Sequence, residues 1–162
     1  KLSPFFTGTI EENLRRARRN ISERELREAT MLSGLDSIIA NIEGGLAYRL
    51  DNATNSLPSS YRGIIALARA LVSDPKILLF DEIFANLDKS LQSELLDKMQ
   101  TIAKNKTLFF VTHDMRVANT MSRILVMEDG EVVGFDEPSK LLESCDLYKK
   151  LWALDNYTKA KG

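Results

Sequence analysis

The feature that most constrains this chain is a pair of short apolar runs, "KILLF" (Lys76 to Phe80) and "TLFFV" (Thr107 to Val111), set either side of an amphipathic stretch. Each run is short and continuously apolar, which predicts a strand covered on both faces. The stretch between them, Ser90 to Lys104, carries Leu91, Leu95, Met99 and Ile102 along one side, the spacing of a helix with a single apolar face. Strands that alternate with helices in this way predict an α/β layer structure with a largely parallel sheet.

The remaining elements fit around that unit. Thr9 with Glu12 and Ser22 with Glu25 are capping-box patterns, each opening a helix. Leu26, Ala29, Thr30 and Leu32 form an apolar stripe, with a break expected at Gly34 and a short helix after it. Glu43 to Ser56 is polar and turn-rich, a surface loop by composition. Ile64, Ile65, Leu67, Ala68 and Leu71 give a helix with one broad apolar face, ended by "SDP". A short helix is expected around Met115 to Met121. Asp129-Gly130 is a hairpin signal, and Ser139 to Leu154 is expected to be helical.

Bulk properties narrow the functions. Lys and Arg number 22 against 23 Asp and Glu, so no electrostatic pull toward nucleic acid is expected. The local cluster "LRRARRN" (Leu14 to Asn20) has acids on both sides and reads as the solvated face of a helix. One cysteine, Cys145, excludes an internal disulfide and a cysteine-rich zinc site, and is expected to be incidental near a helix end. No apolar run reaches the ~18–20 residues of a membrane span, and no signal peptide is present, so a soluble piece facing a reducing cytoplasm is expected. The first residue is Lys, as in a piece of something longer.

Chemistry concentrates at the ends of the two apolar runs. Asp81 and Glu82 follow the first directly, at the strand end where a parallel sheet places ligands. A carboxylate there suits Mg²⁺, which keeps most of its waters and takes few protein ligands. Its neighbour alternates in direction and can point toward a water attacking a phosphate, although acids often simply end strands. His113 ends the second run in "FFVTHD", where it can sense or orient the same phosphate or simply be structural. Asn86 and Asp88, in "IFANLDKS", are candidate caps of the following helix. The helix from Ser60 offers an N-terminus whose free N–H groups favour an anion.

In this order and spacing the residues resemble the nucleotide-binding domain of an ABC transporter over nearly the whole chain. "KILLFDE" resembles that family's Walker B strand, "ANLD" (Ala85 to Asp88) its D-loop, and His113 in "VTHD" its switch histidine. "FFTGTIEENL" (Phe5 to Leu14) resembles the segment after the Q-loop in exporter-type members, and "RGIIALARAL" (Arg62 to Leu71) the helix after the signature loop. The resemblance implies a partial P-loop NTPase (RecA-like) parallel sheet layered with helices, plus an α-helical subdomain. Residues 1–74 would be the helical subdomain with the post-Q-loop segment, and residues 75–162 the C-terminal part of the ATPase core. It implies ATP and Mg²⁺ as cofactors, Asp81 on the metal, Glu82 and His113 as catalytic residues, and Asp88 in the D-loop. It also implies a second nucleotide-binding domain and a transmembrane domain as partners, no nucleic acid, and a place on the cytoplasmic face of a membrane.

The sequence departs from the family pattern in three places. The Gly-rich phosphate loop G-x-x-x-x-G-K-[ST] occurs nowhere in it, so the piece by itself is expected to bind little ATP and hydrolyse none. Ungapped, Lys1 falls where the Q-loop glutamine would be; with an insertion, that glutamine would lie just before it. The signature Leu-Ser-Gly-Gly-Gln is replaced by Leu57-Pro58-Ser59-Ser60-Tyr61. Pro58 has neither hydroxyl nor N–H to offer a γ-phosphate, while Ser59 and Ser60 restore hydroxyls, add Cβ bulk, or cap the helix. In a head-to-tail pair this loop would serve the partner's ATP, and Asp81, Glu82 and His113 this chain's own. Intact acids beside a degenerate signature suit a heterodimer better than a homodimer. The leading expectation is the ATPase half of an exporter; the alternative is a non-hydrolytic ABC module with a docking role. An ABC-type ATPase acting on DNA would need a long coiled-coil insertion for which Glu43 to Glu82 leaves no room.

Overall fold

Two reciprocal caps organise the start of the chain, as the sequence predicts. Thr9 accepts from the Glu12 N–H at 3.0 Å while Glu12 accepts from the Thr9 N–H at 2.7 Å, opening α1 (Ile10–Arg15). Ser22 and Glu25 exchange the same pair of bonds at the head of α2 (Glu23–Ser33). The Ser22 hydroxyl and backbone, with Arg18, hold the Glu25 carboxyl down at about 2. Gly34 takes the left-handed conformation (φ 76°) that ends α2 and admits α3 (Leu35–Ile39). The computed structural model describes residues 5–50, 57–85 and 87–159, with the side chains of Ser59, Thr158 and Lys159 set apart.

The expected loop from Glu43 carries regular structure in its described part. A 3₁₀ turn at Gly45–Ala47 leads into β2 (Arg49–Leu50), which pairs antiparallel with β1 (Gly8–Thr9); residues 51–56 lie outside the described residues. Composition marks such a stretch as turn-rich but carries no information on the two-residue pairing. α4 (Ser59–Val72) then lays its apolar face against α1, α2 and α3, with Ile64, Ile65 and Ala68 fully buried.

β3 (Ile77–Asp81) and β4 (Thr107–Val111) pair in parallel, Ile77 opposite Thr107 through to Asp81 opposite Val111, with α5 (Lys89–Ala103) as the crossover. Leu78 and Phe80 are buried, and the Phe80 and Phe110 rings stack with centroids 4.7 Å apart. The expectation of strands covered on both faces fails here. Ile77, Leu79, Phe109 and Val111 are 55–79% exposed. Side chains of a strand alternate between faces, and in these two strands the described residues cover one face only.

These elements form the first of two compact units, Lys1–Val111; the second is Thr112–Gly162. Within the second, α6 (Met115–Ala118) precedes an antiparallel hairpin of β5 (Ile124–Glu128) and β6 (Glu131–Asp136), with a register shift at Val126/Met127. Asp129 and Gly130 both have positive φ (50° and 84°), as the predicted two-residue turn requires. The expected single C-terminal helix is two, α7 (Pro138–Ser144) and α8 (Asp146–Lys159). Cys145 breaks it with an extended backbone and is buried with Met115, Val126, Leu141 and Tyr148. Gly134 allows this contact, since a Cβ there would lie 3.0 Å from Leu141 and 3.2 Å from the Cys145 sulfur. The Tyr148 hydroxyl, pushed above its usual pKa by burial, donates to Asn119 at 2.5 Å.

Candidate active site

The candidate site is built on the C-terminal end of β3. Asp81 is the last strand residue, exposed and opposite Val111. Glu82 follows in a left-handed conformation (φ 51°), unusual for a residue with a Cβ. Its N–H donates to the Val111 carbonyl at 2.9 Å, so the end of β4 fixes the backbone from which the Glu82 carboxylate projects. The chain then turns, Ala85 N–H to the Glu82 carbonyl at 3.1 Å and Leu87 N–H to the Phe84 carbonyl at 3.2 Å. Phe84 is buried in this turn, its ring 5.7 Å from that of Phe110. Reading the acids alone misses Phe84; the signal was an aromatic residue two positions after the acidic pair.

Asp88 closes the connection by accepting from the Leu91 N–H at 2.9 Å, capping α5 as one of the two predicted candidates. The other, Asn86, lies outside the described residues. Asp81, Glu82 and Asp88 therefore share one short connection of the first unit. His113 belongs to the second unit, exposed two residues beyond β4. Its neighbours are pinned. Thr112 accepts from the Asp114 N–H at 3.1 Å, and Asp114 caps α6 through the Arg116 N–H at 2.9 Å. Asp114 also pairs with the Arg116 guanidinium, raising its pKa.

At the head of α4 the structure corrects one reading. Neither Ser59 nor Ser60 is the N-cap; Pro58 is, with φ −50° and ψ 146°, and no side chain caps the helix. Proline's fixed φ and extended ψ suit the position, and its carbonyl accepts the first helical bond from the Arg62 N–H at 3.2 Å. Leu57, Ser60 and Tyr61 are half-buried, and the side chain of Ser59 lies outside the described residues. Arg62, one turn in, has a buried Nε with no hydrogen-bond partner.

The donor set bears on a metal. Among the described residues no group of three carboxylates, imidazoles or thiols stands together as a metal cluster. Asp81 at an exposed strand end fits a different chemistry, one carboxylate completing the shell of a Mg²⁺ that phosphates and water otherwise fill.

Comparison with known proteins bears on the chain's family and fold. No protein-family model matches the chain. An uncharacterized ABC transporter ATP-binding protein of Bacillus subtilis, YknV, is 30% identical over 147 residues, covering 91% of this chain and 24% of the relative. A lactococcin transport/processing ATP-binding protein of Lactococcus lactis is 34% identical over 149 residues, 91% of this chain and 21% of the relative. The structure of a bacterial Atm1-family ABC exporter with ATP bound superposes with a TM-score of 0.85 at 27% identity, over 94% of this chain and 27% of that one. This chain is homologous to the nucleotide-binding domains of ABC transporters. Its parallel pair with flanking helices is part of an ABC-type, RecA-like α/β fold, as the sequence resemblance implies. The chain spans about a quarter of the length of these relatives. No helix among its described residues is long and apolar enough to cross a membrane.

Proposed function

We propose that this chain is part of the ATP-hydrolysing module of an ABC-type exporter at the cytoplasmic face of a membrane, working as a head-to-tail pair with a second nucleotide-binding domain. The observation that carries the reading is the end of β3, where Asp81 leaves the strand and Glu82 is held in a left-handed backbone by the Val111 carbonyl. Asp81 would hold Mg²⁺, which when bound neutralises phosphate charge. Glu82 orients the attacking water and takes its proton, a role worth about 10²–10⁴-fold in rate. Asp88 sets the start of α5 and lies in the connection that would face the partner, and the family resemblance would give His113 the phosphate end of the nucleotide.

Leu57 to Tyr61 would face the partner's ATP. With Pro58 at the N-cap, the loop brings neither a hydroxyl nor an N–H at that position, which would weaken the partner's site and not the one served by Asp81 and Glu82. That asymmetry supports a heterodimer whose single competent site uses Glu82. It also favours a second reading, an assembly that binds ATP and changes partner contacts without turnover.

The deciding experiment is Glu82→Gln in the full-length protein. Mg²⁺-dependent ATPase activity is expected to fall by about 10²-fold or more with nucleotide affinity retained. Undiminished turnover removes Glu82 from its role, and nucleotide binding without turnover in the wild type selects the second reading.

A further inference from the structure

The segment that carries His113 runs directly into α6, and α6 is a single turn of four residues, Met115–Ala118. One turn does not hold itself in water, because its first hydrogen bond must fix several residues at once. The geometry of the His113 segment therefore depends on what ties α6 down at its two ends. At the N-terminal end the tie is local. Asp114 accepts from the Arg116 N–H at 2.9 Å and from the Arg116 guanidinium at 3.0 and 2.7 Å, so donor and acceptor move together with the turn.

At the C-terminal end the tie comes from a distant part of the chain. Asn119 closes α6 by donating its N–H to the Met115 carbonyl at 3.0 Å. Its side-chain Oδ1 accepts from the hydroxyl of Tyr148, on α8, at 2.5 Å. Tyr148 is almost fully buried and packs in one cluster with Met115, Val126, Leu141 and Cys145. Apolar contacts hold α6 on that core without direction, whereas a hydrogen bond shielded from water is directional and strengthened by its surroundings. This bond fixes the turn against rotation and sliding. Asp155 lies about two turns further along α8, on the same side of the helix as Tyr148. After the fork from Asp114, its charge also helps to raise the pKa of Arg116. One side of the C-terminal helix thus acts on both ends of the turn that follows His113.

We propose that Tyr148 and Asn119 are positioning residues for His113: one buried hydrogen bond from the C-terminal helix sets the turn that anchors the segment carrying the histidine. The consequence for turnover rests on the role proposed above for His113; the consequence for the segment itself does not.

The test is Tyr148→Phe in the full-length protein, which keeps the ring and removes only the hydroxyl. In native-state amide hydrogen exchange, rates at His113 to Asn119 are expected to rise about two- to tenfold, as loss of one buried hydrogen bond does, while β5 and β6 keep theirs. If Tyr148→Phe does not fold, Asn119→Ala takes its place, since it removes the acceptor instead. The second readout is Mg²⁺-dependent ATPase activity in a cycle with His113→Gln. Tyr148→Phe is expected to lower kcat about two- to tenfold with KM unchanged, and to lower the residual rate no further once His113 is replaced. The proposal is overturned by unchanged exchange, by a rise of equal size in β5 and β6, by an unchanged kcat where His113→Gln lowers it, or by losses that multiply in the double variant. Undiminished turnover in His113→Gln alone removes the histidine's proposed role, and the exchange rates then decide whether Tyr148 positions its segment.

Discussion

α4 and β3 are neighbours in the chain and opposites in their surroundings. α4 is covered by three helices of the same unit, and its Ile64, Ile65 and Ala68 have no solvent exposure. β3 has Leu78 and Phe80 buried on one side and Leu79 79% exposed on the other. A helix needs burial along one stripe only, which a few local neighbours supply, whereas a parallel strand pair in an α/β protein is ordinarily covered on both faces. The two candidate half-sites divide the same way. The signature-like loop opens a helix whose apolar face is covered by helices of its own unit, and Asp81 and Glu82 hang from a sheet whose second face no described residue covers.

Three measurements on the stability of the 162-residue chain would break or sharpen this contrast. Ile65→Ala should cost the most, about 2–5 kcal/mol in urea unfolding, because it opens a cavity in a closed helical core; a much smaller loss would mean that core is not closed. Ser22→Ala should cost about 1 kcal/mol at neutral pH, since it removes a cap from α2. That effect has a pH signature. The Glu25 carboxyl is depressed from 4.5 to about 2, first by the Ser22 hydroxyl, so its stabilisation is complete above about pH 4.5 and disappears as pH falls through about 2. The gap between wild type and Ser22→Ala should therefore narrow over that interval, and a gap independent of pH would detach Glu25 from the cap. Leu79→Thr should change stability least, by less than about 0.5 kcal/mol, because it replaces an exposed side chain with a β-branched one suited to a strand. A loss comparable to that of Ile65→Ala would show that this face is covered after all.

Local rules made much of this legible. Both capping boxes, the Gly34 break, the Asp129-Gly130 turn and the parallel pairing of β3 with β4 depend on a few adjacent residues or on the alternation of strands and helices. What escaped depends on residues distant in sequence. Arg49 meets Arg15, Arg16 and Arg19 only because β2 pairs with β1, a neighbour the cluster's own sequence does not announce. The break at Cys145 answers to contacts with Gly134 and Tyr148, not to any local breaker residue. At the head of α4, propensity favoured a serine cap, yet the chain enters through Pro58, whose own φ suits that position. At the candidate site the sequence pointed to the side chains for which chemistry is proposed, but not to the Val111 carbonyl that clamps the backbone beneath Glu82.

That clamp has an evolutionary consequence. A residue with a Cβ held at φ 51° costs the fold roughly 1–2 kcal/mol that glycine would not. Selection for a sturdier domain alone would drive position 82 toward glycine, while selection for turnover would hold the acid there against it. If Glu82 has the proposed role, the identity of residue 82 across variants of this chain would mark which lineages depend on the carboxylate.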